Sequence, residues 1–195
     1  MPRLLTIVAD DYGIGRETSR GILSLALEGR ITGTVLLVNA PDAEFAVTEW
    51  LKLKPEVDLG WHPNLTLDTP VARPEQVPSL VRADGTFWPL GAFLQRICFG
   101  KIRYNEVVCE WRAQLQRFIK LVGRPPVVVN SHQHVSLFPP CEAALAEVLR
   151  EARLTPYVRR VIENSGTLFG VPGGRIKRLV LTVLGQQMKR QAKKR

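Results

Sequence analysis

Cysteine is scarce in this chain. The 195 residues hold three, Cys98, Cys109 and Cys141, with no CxxC pair among them. That count and spacing argue against a disulfide framework and fit free thiols in a reducing compartment. Long apolar runs are lacking as well. None approaches the roughly 18 to 20 residues that a membrane-spanning helix needs. The run before Asp10 is short and ends in acids rather than in a small-residue cleavage site, so it does not read as a signal peptide. A cytoplasmic protein is the expectation. The glycines of "DYGIG" make no GxGxxG fingerprint, and no GK[ST] follows, which excludes dinucleotide and P-loop readings. Histidine is rare too: His62, His132 and His134 are the whole supply.

Acid is missing from one place in particular. Between Arg175 and Arg195 there are eight basic residues and no acidic one. Nearly all of the formal charge of +9 therefore belongs to that tail. The body is close to neutral, so the charge gives no reason to expect a nucleic-acid-binding body.

What is present is a core-forming chain. Hydrophobic residues make up 45% of it, enough for one globular domain over residues 1–195. Strand and helix signals alternate. Leu4–Ala9 reads as a strand buried on both faces, followed by a helix from about Arg16 to Glu28. Thr34–Val38 is a second strand, and Asp42 is placed to cap a helix ending near Leu53. Val57–Trp61 is a third strand. Residues 68–101, rich in proline and glycine, predict an irregular excursion that reads as a lid. Glu106–Leu121 has strong helical spacing, Val127–Val129 is a fourth strand, Cys141–Ala152 a helix and Tyr157–Ile162 a fifth strand. A last, basic helix spans about residues 176–191, with apolar Ile176, Leu179, Val180, Val183, Leu184 and Met188. Such alternation implies a parallel sheet, whose strands carry active-site groups at their carboxyl ends.

The unusual residues fall at those ends. Asp10 and Asp11 follow the first strand, His62 the third, and His132 and His134 the fourth. Two adjacent carboxylates become tolerable when a divalent cation neutralises one and the other serves as a base. Two imidazoles and a carboxylate make a facial ligand set with positions left for water and substrate. Simpler readings stand beside this one. The acid pair could cap the next helix, and each histidine could be a hydrogen-bonded structural group. His132 and His134, two apart, share a side if the segment is extended.

Taken together these segments resemble the YdjC/ChbG/HpnK-type carbohydrate deacetylases. The likeness rests on "ADDYGIG" (9–15), "GRITGTVLLVNAP" (29–41), "LGWHPNLTL" (59–67), "EWRAQLQRF" (110–118), "VNSHQHVSLFP" (129–139) and "PYVRR" (156–160). The resemblance implies a TIM-barrel-like (β/α) fold, here incomplete, with C-terminal strands missing. It implies a divalent metal, Mg²⁺ or Zn²⁺, and hydrolysis of the N-acetyl group of an acetylated amino sugar, either a chito-oligosaccharide or a glycolipid. By position, Asp11, His62 and His132 would hold the metal and Asp10 would be the general base. The chain departs from the family pattern at three places. Asn130 stands where an aspartate is usual, Ser136 where a histidine is often found, and no late His-Pro-Gly segment is present. His134 is therefore the candidate general acid. A truncated chain that binds metal or sugar without turnover is the alternative.

Other residues carry open alternatives. Glu110 and Gln114 share a helix face, for packing under the barrel or as a solvated pair. Arg159 and Arg160 could meet substrate or merely solvent. Trp61, Phe87 and Trp88 could stack on sugar or fill the core. The basic tail would pack on the sheet as a barrel helix, the favoured reading, or lie on an anionic membrane as a peripheral contact; nothing supports RNA. Self-association stays open.

Overall fold

A wholly parallel sheet runs through the protein, whose computed structural model describes residues 5–170 and 173–192. Its strands are β1 (Val8–Tyr12), β2 (Gly33–Leu36), β3 (Asp58–Trp61), β4 (Val128–Val129) and β5 (Tyr157–Val158). They lie side by side in sequence order. The helices are α1 (Arg16–Leu27), α2 (Ala43–Leu53), α3 (Leu90–Cys98), α4 (Tyr104–Val122), α5 (Cys141–Glu151), α6 (Ser165–Gly170) and α7 (Arg175–Ala192). Sequential order is the winding of a (β/α) barrel; a doubly wound sheet reverses its order at a switch point. Among the described residues the sheet does not close, and β1 and β5 are its two edges. The fold is thus an open, TIM-barrel-like segment.

The main apolar cluster joins strands to α1, α2, α4 and α5, and includes Tyr12, Trp50, Trp61, Trp111 and Phe118. Tyr12 packs edge-on against Trp50, with ring centroids 5.6 Å apart, and its hydroxyl donates to the Ala46 carbonyl at 2.7 Å. Trp61 and Phe87 are buried in this cluster, which is the core reading rather than sugar stacking. The Arg96 guanidinium lies over the Trp88 ring, 4.4 Å from its centroid. Between β3 and β4 the packing is close enough to require a glycine. A Cβ on Gly60 would lie 2.3 Å from both the Val128 carbonyl oxygen and its side chain.

Several expectations need correction. The first strand starts later than Leu4, which lies outside the described residues, and runs through the acid pair to Tyr12. It is not buried on both faces: Val8 and Ala9 are half-buried and Asp10 is exposed, and Leu5 and Ile7 ahead of the strand are exposed. Asp42 precedes α2 but makes no side-chain cap; its carboxylate instead meets Arg16 at 3.3 Å. The excursion at 68–101 is only partly irregular. It holds a 3₁₀ turn (Pro74–Gln76), an antiparallel bridge between Val81 and Phe87, and α3. Leu90, Phe93, Leu94 and Ile97 have helical spacing, and that periodicity outweighs the surrounding prolines and glycines. The fifth strand is shorter than expected, ending at Val158, and α6 had no counterpart in the reading.

The last helix does form, but with the wrong face outward. Ile176, Leu179, Val180 and Val183 face solvent, while Leu181 and Thr182 are buried. Leu181 packs on Leu137, with Val158, Val161 and Leu184 around them. The reason is Gly185, whose added Cβ would lie 2.2 Å from the Val161 carbonyl oxygen. The helix makes its close approach through this glycine, and the apolar stripe on the other side is left uncovered. The side chain of Met188 lies outside the described residues.

Candidate functional site

A bulge places the two carboxylates. Ala9 pairs with Thr34 and Tyr12 with Leu36, so β1 carries one residue more than β2 between these pairs. Asp11 takes up the extra length in a left-handed conformation, φ 65°. This rare backbone for a non-glycine residue is held by the Ile14 amide, which donates to the Asp11 carbonyl at 3.1 Å. Neither aspartate caps α1, whose N-terminal flanking residue is Gly15 and has no side-chain cap. The capping alternative is therefore set aside.

His62 leaves the end of β3 and is buried. Its Nδ1 hydrogen-bonds the Asn130 backbone carbonyl, and its Nε2 lies 3.2 Å from Asp11 Oδ1. His132 follows β4, held by its amide donating to the Pro63 carbonyl at 2.9 Å. Its Nδ1 lies 2.8 Å from the same Asp11 oxygen. The two imidazoles meet edge to face at 5.4 Å. One donor atom each from Asp11, His62 and His132 falls within 4.8 Å of the others.

The donor chemistry fits a cation. With Nδ1–H of His62 committed to the Asn130 carbonyl, Nε2 of the neutral ring presents a lone pair toward a carboxylate oxygen. Two acceptors face each other there, and a shared cation or an extra proton resolves the conflict. The carbonyl partner of His62 is the kind of outer contact that fixes a metal-binding tautomer. Asp11 is held well below the ordinary carboxylate range, first by its hydrogen bond with His132 and then by that with His62.

Asp10 sits beside this group without joining it. Asn130 Nδ2 donates to Asp10 Oδ1 at 2.6 Å, and an Arg159 guanidinium nitrogen lies 3.5 Å from Oδ2. Asn130 thus holds Asp10 through its side chain and His62 through its backbone. Arg159 is exposed and reaches toward Asp10. His134 does not share a side with His132. Gln133 and His134 are both left-handed, φ 49° and 59°, because His132–Leu137 coils in tight turns rather than extending. His134 lines the cavity above the group but is not one of the three. Burial above all, then the positive Arg159 and Lys177, push its pKa below the ordinary histidine value.

Glu110 and Gln114 are buried, not solvated. Gln114 receives the Asn64 amide at 3.1 Å and donates to the Asn64 carbonyl at 2.7 Å. Glu110 accepts from the Val71 and Ala72 amides, each at 2.9 Å. Together they clamp the loop that follows His62 onto α4. Thr66 Oγ1 then donates to Gln133 Oε1 at 2.9 Å, tying that loop to the His132 turn. Burial raises Glu110 to about 7 against the pull of these donors.

Above the group lies a cavity of about 590 Å³. Leu90 and Leu94 of α3, and Lys177 and Leu181 of α7, contribute its walls. These residues were not singled out from the sequence. The helical spacing of Leu90, Phe93 and Leu94 was the available signal; nothing in the sequence placed α7 beside the site.

A parallel barrel-type sheet with an Asp-His-His group at its strand ends defines the class: a TIM-barrel-like protein with a candidate metal centre. Comparison with known proteins narrows this. The chain belongs to the YdjC-like protein family, whose sequence model matches residues 4–194. It is 33% identical over 159 residues to a protein of Danio rerio named carbohydrate deacetylase, covering 82% of this chain and 50% of that one. It is 34% identical over 155 residues to a chitooligosaccharide deacetylase of Yersinia pestis bv. Antiqua (strain Angola), covering 79% of this chain and 58% of that one. The crystal structure of a candidate cellobiose-phosphate cleavage protein from Enterococcus faecalis V583 superposes with a TM-score of 0.71 at 28% identity, over 91% of this chain and 63% of that one. The chain thus spans about half to two-thirds of the length of these relatives.

Proposed function

We propose that this chain carries the centre of a divalent-cation-dependent hydrolase that removes the N-acetyl group from an acetylated amino sugar. The observation that carries the reading is the convergence of Asp11, His62 and His132 with Asp10 beside them. The names of the relatives, carbohydrate and chitooligosaccharide deacetylase, support the substrate class. Asp11, His62 and His132 would hold the cation. Of Mg²⁺ and Zn²⁺, two imidazoles suit Zn²⁺ better, since Mg²⁺ prefers oxygen donors. When bound, the cation supplies Lewis-acid polarisation of the acetyl carbonyl and makes a nearby water more acidic.

The chain's own residues supply the proton traffic. Asp10, fixed at both oxygens by Asn130 and Arg159, accepts the proton of the attacking water. His134 lines the same cavity and delivers a proton to the departing amine. The open sheet favours a second reading, in which the chain binds cation and sugar without turnover. Acetate release from N-acetylglucosamine oligomers by the purified chain, with and without added Zn²⁺ or Mg²⁺, separates the two. Cation-dependent release supports the enzyme; tight cation binding without release supports the other.

A further inference from the structure

The outward face of α7 carries apolar side chains that no described element covers. Ile176 is 82% exposed, Val183 54%, Leu179 48% and Val180 45%. Spaced at three, four and seven residues, they form a single stripe along the helix. Leu181 and Gly185 mark the opposite, inward side. Arg175 and Lys177 fall on the two flanks of the stripe by helical position, both exposed. Around the same helix the sequence sets its eight basic residues against no acid. Arg178 belongs to the inner side, where it meets Glu163 at 2.5 Å and anchors the helix.

An apolar stripe flanked by cations, on a helix that itself carries no acidic residue, is complementary to one kind of surface: an anionic lipid bilayer. The apolar side chains would enter the acyl boundary and the basic flanks would meet the headgroups. A second copy of this chain is a poor match, since it would bring the same positive charge to the contact. No helix among the described residues is long and apolar enough to cross a membrane, so the helix would lie on the bilayer rather than span it. We propose that α7 is a peripheral docking helix for anionic membranes. Lys177, Val180 and Leu181 also line the cavity above Asp11, so docking would bring that cavity close to the lipid surface. The proposal does not depend on the chemistry assigned to the cavity.

Co-sedimentation of the full chain with vesicles tests it, using phosphatidylcholine alone against phosphatidylcholine with a third phosphatidylglycerol. The expected result is binding to the anionic vesicles at least tenfold tighter than to the neutral ones, and its loss in 0.5 M NaCl. Replacing Ile176, Leu179 and Val183 together by serine should weaken anionic-vesicle binding at least tenfold with unchanged far-ultraviolet circular dichroism. Should that variant misfold, Arg175→Glu alone should still weaken binding severalfold. Equal binding to both vesicle types, no binding at low salt, or full binding by the folded serine variant would overturn the proposal. So would a wild-type dimer that the serine variant dissolves, or RNA binding that competes the vesicles away.

Discussion

Asp10 and Asp11 are neighbours in sequence with different work to do, and single substitutions should separate them. Asp10→Asn removes the proposed proton acceptor and leaves the three candidate ligands in place. It should keep the bound cation while acetate release falls by about 100-fold or more. His62→Ala removes a candidate ligand and should lose the cation itself, which elemental analysis of the purified protein reads directly. Asn130→Ala distinguishes the two supports that this residue provides. Its backbone carbonyl still orients His62, so cation binding should persist. Its side chain no longer fixes Asp10, so turnover should fall roughly 10- to 100-fold, the usual cost of losing an outer contact. The residues that converge were legible in the sequence because the histidines are few and each follows a strand. Their conformations were not. The left-handed backbone at Asp11, Gln133 and His134 arises from a bulge and a tight turn. Neither has a glycine or proline at those positions to announce it.

At the scale of elements, the position of His62 depends on two structural devices. One is the close packing of β3 on β4 through Gly60. Gly60→Ala places a methyl group against backbone, and should destabilise the fold by about 1–3 kcal/mol in chemical denaturation. The other is the clamp of α4 on the loop after His62. Burial raises Glu110 from 4.5 to about 7, so the folded chain keeps a proton that the unfolded chain releases. The contribution of this group is therefore complete below about pH 4.5 and is lost as pH rises to about 7, roughly 3 kcal/mol in all. Glu110→Gln cannot titrate. The stability difference, wild type minus variant, should shrink as pH goes from 5 to 7.5 in parallel melting curves. A constant difference would show that Glu110 does not hold that proton. Most elements could be read from periodicity, since their apolar spacing matches their burial, as in α4. The orientation of α7 could not. Its apolar stripe predicts an inward face, yet the close approach at Gly185 turns that stripe to solvent. A glycine contact across the fold leaves no periodic signal.

For the whole molecule, the sequence order of strands follows from alternation, and among the described residues five strands leave the sheet with two open edges. The sheet brings β1, β3 and β4 ends to one rim, and this is what turns three separated motifs into one group. A bound cation would also link these strands and stabilise the folded chain by mass action. Saturating Zn²⁺ at about 100 times its dissociation constant should add about 2.7 kcal/mol, and removing it with a chelator should reverse the gain. The most direct test is calorimetric titration of Zn²⁺ into the metal-free chain, beside the double variant His62→Ala/His132→Ala. One cation bound per wild-type chain, with no binding by the variant, is the expected result. A wild-type chain that takes up no cation, or a variant that binds as tightly as wild type, would contradict the assignment of Asp11, His62 and His132 as a metal centre.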